Sequence, residues 1–316
     1  MKKLIFKCCV YFFAIIICLE ILTRIFYLAK DNPSRFLDDK KVEKWVPNQQ
    51  GFSVTGNRRQ NFSAYRINKF GFNSYREFTP SKDKMEIALV GDSFIEGFHQ
   101  NYYNSIGKKI ELILPQINVY EFGYAGYDFA DQLHLINSYK EMFDLIDITI
   151  IGLDFNTDLN RAEYNVINER LASETFVKKL LKKSKLIVYT KEMGIFDIPR
   201  KLISKISIAL LINKKEHLSS TLRKVSINKN AKNIKNFKSL VAKYNYNKDK
   251  FILLLDRTKT PDHFLSYLKL NNYNYIEFGI SLKNAKKPTT LIYDQHWNNY
   301  GRELISKTIV DYLKNR

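Results

Sequence analysis

The sequence predicts an α/β protein built in three layers, an open parallel sheet with helices on both faces, preceded by one membrane-spanning helix. Three observations carry this. Short apolar, branched runs recur through the body, each closed by Gly or Asp. Helical patterns fall between them, and strands alternating with helices pair in parallel, because each crossover returns the chain to the same end of the sheet. Near the N-terminus, Cys8 to Leu19 form an unbroken run of 12 apolar residues.

That run continues through residue 28 with only Glu20 and Arg24 charged, four residues apart and able to pair on one helical face. The span meets the roughly 20 residues needed to cross a bilayer. Lys2, Lys3 and Lys7 precede it, which favours a cytoplasmic N-terminus and an extracytoplasmic body at the cytoplasmic membrane. No small-residue cleavage site lies near Tyr27–Lys30, and Ile17 stands before Cys18 where a lipidated cysteine would want a small neighbour, so an uncleaved single-pass anchor over residues 1–30 is expected. Residues 31–84 form a lead-in, and residues 85–316 the catalytic body. In the body, Met85–Val90, Ile117–Phe122, Asp147–Leu153, Phe251–Leu255 and Tyr275–Phe278 read as strands. Asn101–Leu114, stopped by Pro115, Asp128–Phe143, Pro261–Leu270 and Tyr300–Leu313 read as helices.

The 316 residues carry 51 Lys+Arg against 32 Asp+Glu, a net charge of +19. From Val177 to Lys250 there are 20 basic and 4 acidic residues, so most of the excess sits in one helical insertion at about 160–250. Within it, Leu202–Ile212 is apolar with lysines on both flanks, a pattern that suits either an anionic membrane surface or a solvated helical cap. Nucleic-acid binding is not expected, since the charge is confined to this segment and no recognised nucleic-acid motif accompanies it. The three cysteines, Cys8, Cys9 and Cys18, all lie in the apolar run, leaving the body without a disulfide framework or a Cys-based metal site.

In open parallel sheets, function collects in the loops after the strands. Gly91-Asp92-Ser93 follows the first strand; a serine there either points its hydroxyl into the cleft or, with Asp92, merely caps a helix. A nucleophilic serine needs a base, and the base needs an acceptor for its second ring nitrogen. Asp294-Gln295-His296 supplies both, because residues two apart in an extended segment face the same side. Of the other histidines only His99, six residues from Ser93, is a rival base.

This ordered set resembles the SGNH (GDSL-type) hydrolase superfamily, and in particular its membrane-anchored bacterial members. The first block is similar to Gly91-Asp92-Ser93-Phe94, the second to Phe122-Gly123-Tyr124-Ala125-Gly126-Tyr127, and the last to Asp294-Gln295-His296-Trp297-Asn298-Asn299-Tyr300-Gly301. Tyr65-Arg66-Ile67-Asn68-Lys69-Phe70-Gly71-Phe72 resembles the lead-in of those members. The resemblance implies an SGNH-hydrolase-like, flavodoxin-like fold and Ser93, His296 and Asp294 as catalytic residues. It also implies an oxyanion hole of the Ser93 and Gly126 N–H groups with an Asn from the third block. That block departs from the family's Gly-x-Asn-Asp. In Gly152-Leu153-Asp154-Phe155-Asn156-Thr157-Asp158 the position falls on Asn156 or Thr157, and Asn156 is favoured because its amide donates.

The function implied is that of a serine esterase or O-acyltransferase working through an acyl-serine intermediate, with no metal or organic cofactor. The expected partners are the membrane and an acylated carbohydrate or lipid-linked glycan of the envelope, with acetyl the expected acyl group. An inactive glycan- or protein-binding module on the same scaffold is the alternative.

Overall fold

A computed structural model describes residues 1–56, 59–195 and 218–316; the expectation for Leu202–Ile212 therefore lies outside the described residues. The first helix, α1 (Lys2–Ile25), is exposed along its length up to Leu19 and is long and apolar enough to cross a membrane.

Five strands form the central sheet: β5 (Met85–Gly91), β6 (Ile117–Gly123), β7 (Ile148–Gly152), β8 (Phe251–Leu255) and β9 (Tyr275–Glu277). All pair in parallel, in the order β6-β5-β7-β8-β9. Each expected strand is present. The two-residue period of a strand sends alternate side chains to opposite faces. Ile87, Leu89, Ile150, Ile252 and Leu254 point to one face, where they meet α3 (Ile106–Ile113) and the closing helix α12 (Asn299–Lys314). Ala88, Val90, Ile151, Leu253 and Leu255 point to the other, against α4 (Phe129–Ser138) and α10 (Asp262–Leu270). The long helix expected over Asp128–Phe143 breaks at Tyr139, beyond which α5 (Lys140–Phe143) starts afresh.

Two features exceed the sequence expectation. The first is the lead-in, which folds as two antiparallel hairpins: β1 (Arg35–Leu37) with β2 (Glu43–Trp45), and β3 (Gln50–Thr55) with β4 (Asn61–Arg66). Trp45, Tyr65, Phe72 and Phe78 are buried in the same core cluster as Phe122 and Tyr124. The lead-in is thus part of the hydrophobic core.

The second concerns the basic segment. After β7 the chain leaves the sheet through α6 (Asn168–Leu171), α7 (Phe176–Lys183) and α8 (Lys185–Glu192), and returns in α9 (Leu218–Lys243). The C-terminal half of α9 buries Phe237 and Leu240 completely, and it supplies the helix that the β7–β8 crossover requires on that face. Its Asn233 and Asn236 amides donate to the Phe155 and Leu159 carbonyls, 2.8 Å each, which ties α9 to the loop after β7.

Candidate active site

The chain steps from β5 outward to β6, then back across β5 to β7. The sheet order thus reverses between β5 and β7, and a crevice opens at their carboxyl ends. Gly91-Asp92-Ser93 and Gly152-Leu153-Asp154 end these two strands. Ser93 opens a one-turn helix, α2 (Ser93–Glu96). Asp92 caps that helix, its Oδ1 accepting the Phe94 N–H at 2.9 Å, which leaves the Ser93 hydroxyl uncommitted to the backbone. Ser93, Phe94, Gly126, Tyr127, Asp154 and Trp297 are among the residues lining a cavity of about 420 Å³, a size suited to a small acyl-bearing ligand.

The structure brings Ser93, His296 and Asp294 together from opposite ends of the body. Ser93 Oγ lies 2.7 Å from His296 Nε2, and His296 Nδ1 bonds Asp294 Oδ1. The same Asp294 oxygen accepts the His296 backbone N–H at 3.0 Å, so the chain bends here, and this Asp-x-His turn sets the ring's position as well as its tautomer. Phe94 packs against both the imidazole and Trp297. Burial works to raise the Asp294 carboxyl, but hydrogen bonds from His296 and the nearby His99 ring outweigh it and hold the group below its usual range.

His99, a rival base by sequence, has a different place. Its Nε2 lies 2.9 Å from Asp294 Oδ2, and its ring stacks on His296 with centroids 3.9 Å apart. Burial first, and the neighbouring His296 second, push His99 down to about 4. It is therefore neutral near pH 7, donates from Nε2, and leaves a buried Nδ1 without a partner among the described residues. Asp294 thus accepts from two imidazoles. His99, Asp294 and His296 also offer one metal-ligand atom each within 4.8 Å of one another; Nε2 of His99 and both Asp294 oxygens are engaged in the hydrogen bonds just described.

The expected oxyanion donors part company. Gly126 lines the cavity with Ser93, at a positive φ of 91° that suits glycine. Among the described residues, neither the Ser93 nor the Gly126 N–H donates to a protein acceptor. Asn156 is exposed and outside the cavity, with its amide 3.3 Å from the Lys259 carbonyl. β7 ends at Gly152, and Asp154 and Thr157 of the loop that follows line the cavity. Asp154 Oδ1 is occupied by the Asn156 N–H at 2.7 Å, and the Thr157 hydroxyl by Asp158. Burial, then the nearby Asp92 and Asp154, raises Asp158 to about 8.

Sequence reading also missed the supports. Glu96, at the end of α2, is buried, and its Oε1 accepts from Trp45 Nε1 at 2.7 Å and from the Ala125 N–H at 3.1 Å. One carboxyl thus joins the lead-in, the serine helix and the Gly126 loop. Tyr124 and Tyr127 reach back to Glu43 of β2. Burial lifts Glu96 to about 8. Between roughly pH 4.5 and 8 the folded protein keeps a proton there that the unfolded chain has released, so this group's contribution to stability falls as pH rises. Glu96→Gln, which keeps the acceptor, is expected to raise Tm relative to the parent, more at pH 8 than at pH 5. A pH-independent difference in thermal melts would contradict the buried-carboxyl assignment.

No family model and no curated protein matches the chain. Solved structures similar to it include the psychrotrophic esterase EstA from Pseudoalteromonas sp., at 12% identity, TM-score 0.40, covering 73% of this chain and 98% of that one. A lipase/acylhydrolase from Enterococcus faecalis is 12% identical, with TM-score 0.39 and coverage of 73% and 96%. A member of the lipolytic protein G-D-S-L family from Veillonella parvula is 11% identical, with TM-score 0.35 and coverage of 73% and 100%. These are similarities only; fold and chemistry are read from this chain's own strand order and side chains.

Those features define the class. A serine opening the helix after the first strand of a five-stranded parallel sheet is set against an Asp-x-His turn before the last helix, the arrangement of a serine nucleophile with a histidine base and an orienting carboxylate. The chain carries in addition an N-terminal helix long and apolar enough to cross a membrane.

Proposed function

We propose that this chain is a membrane-anchored serine esterase or O-acyltransferase acting on ester-linked acyl groups, chiefly acetyl, of envelope glycans, with its body outside the cytoplasmic membrane. The observation that carries the chemistry is the 2.7 Å contact between Ser93 Oγ and His296 Nε2, with Asp294 on the other ring nitrogen, beside a small cavity. Ser93 Oγ attacks the ester carbonyl while its proton passes to His296 Nε2. The Ser93 and Gly126 N–H groups receive the developing oxyanion; Asn156, whose amide lies 3.3 Å from the Lys259 carbonyl, does not line the cavity as it stands. Collapse breaks the ester C–O bond, the alcohol leaves with the proton from His296, and an acyl-Ser93 remains. Water or a sugar hydroxyl then attacks that ester, with His296 taking the proton again; collapse breaks the bond between the acyl carbon and Ser93 Oγ, His296 returns the proton to Ser93, and the free acid or the new sugar ester leaves. The glycan reading is supported by the N-terminal helix, long and apolar enough to cross a membrane, and by the resemblance to membrane-anchored SGNH hydrolases.

A fluorophosphonate probe should form an adduct on Ser93, detectable by mass spectrometry, and an acetylated glycan should release acetate or transfer it to a second sugar. Absence of both, with glycan binding retained, would favour the binding module.

His99 acts here as a positioning residue. It holds the second oxygen of Asp294, and its neutrality spares the imidazolium that forms on His296 a second positive ring at 3.9 Å. His99→Ala is expected to lower kcat about tenfold to a hundredfold, as loss of a hydrogen bond to a charged group does, with KM nearly unchanged. His99→Gln, which can still donate, should recover much of it. Equal losses in both variants, or a change confined to KM, would remove the role.

A further inference from the structure

We propose that α7 and the start of α8 form an interfacial foot beside the anchor, the apolar face of α7 seated in the lipid and its lysines among anionic headgroups. This rests on the anchor reading of α1. Residues Lys2 to Leu19 stand clear of the protein, and at 1.5 Å per residue they project about 27 Å, close to the thickness of a bilayer's hydrocarbon core. The body begins where the charge begins. Glu20 caps the start of α8, its Oε2 accepting from the Ser184 hydroxyl and the Leu186 N–H and its Oε1 from the Lys185 N–H, 2.9 Å each. Arg24, paired with Glu20, donates to the carbonyl of Lys183 at 2.6 Å, closing the end of α7. The α7–α8 junction is thereby fixed at the depth where apolar helix gives way to charge, which is the headgroup level.

At that depth α7 presents two faces. Phe176, Val177, Leu180 and Leu181 fall within one half of the helix at 100° per residue, and Lys178, Lys179, Lys182 and Lys183 within the other. None of the eight residues is buried, and the apolar four are 81%, 64%, 57% and 46% exposed. An apolar stripe that nothing among the described residues covers, docked at the foot of an apolar helix, is continuous with the surface that helix offers to lipid. Lys179 and Lys182 approach Glu174, while Lys178 and Lys183 have no ion-pair partner among the described residues and are available to phosphate headgroups.

The test uses the full chain, with Cys8, Cys9 and Cys18 replaced by Ser, in nanodiscs containing phosphatidylglycerol. Single nitroxide labels are placed at Ile15→Cys, Lys178→Cys and Leu180→Cys. Collisions with oxygen report lipid, and collisions with a water-soluble nickel chelate report solvent. Leu180 should show a severalfold higher oxygen-to-nickel ratio than Lys178, approaching Ile15, and the ratio should fall in purely neutral discs. A solvent-exposed Leu180 beside a lipid-immersed Ile15 would overturn the foot and leave the anchor. A solvent-exposed Ile15 would overturn the anchor itself. A Leu180 label shielded from both reagents would show protein covering the stripe, and would overturn the lipid assignment. An unchanged ratio in neutral discs would remove the headgroup role of the lysines. None of these readouts depends on Ser93 or on turnover.

Discussion

Ser93→Ala and His296→Ala each lower turnover of a short-chain ester by about four to six orders of magnitude, and the double variant is no worse than either. The reason lies in the geometry: one 2.7 Å contact joins nucleophile and base, and either partner alone has no route for the serine proton. Ser93 is one turn from a buried support yet lines an open cavity, so removing its hydroxyl leaves packing intact and thermal melts should be unchanged. Asp294→Asn is expected to be milder. The new amide can keep its oxygen on His296 while its NH₂ meets His99, provided His99 takes the other tautomer and places an N–H at its buried Nδ1, which has no partner among the described residues. The orientation then survives, but the negative charge that stabilises the imidazolium does not. Steady-state kinetics on the four variants check this, and full activity in Ser93→Ala would remove the acyl-serine mechanism.

Gly123→Ala has the second largest expected effect, on fold and activity together. Gly123 ends β6 and lies in register with Gly91 of β5. A methyl group on it would overlap the backbone N and Cα of Glu96 and the carbonyl carbon of Ile95, all in the helix that carries Ser93. Backbone cannot swing away as a flexible side chain does, so α2 must lift off the strand. Overpacking of this kind costs about 1–3 kcal/mol and sometimes more, and the displacement moves the nucleophile away from His296. Gly91→Ala is the control: its methyl meets the Ile95 side chain, which can rotate, and the loss should be smaller. Paired Tm and kcat measurements decide it, and an unchanged Gly123→Ala would show that α2 does not pack where it is placed.

The five strands were legible because each is a short apolar run ended by a turn residue, and that signal is local. Ser93, Asp294 and His296 were legible for a related reason: a strand-turn-helix presents the serine, and a two-residue spacing presents the pair. The lead-in was not. The strands of its hairpins are only three to six residues long, and what defines the lead-in is burial of Trp45, Tyr65 and Phe72 in a core shared with strands far along the chain. The last part of the basic segment read as insertion because its lysines dominate the count, whereas Phe237 and Leu240 reveal a core helix only once β7 and β8 lie side by side.

The same division holds within the site. Sequence alone singled out Ser93, His296 and Asp294 as one set, since residue type and short spacing carry that signal. Only the tertiary structure decided that His99 serves Asp294 instead of Ser93, that Asp154 and not Asn156 lines the cavity after β7, and that a buried Glu96 ties the lead-in to the serine helix. Each of these turns on which atom lies within about 3 Å of another. The approach of segments tens to hundreds of residues apart sets that distance, and no local pattern in the chain encodes it.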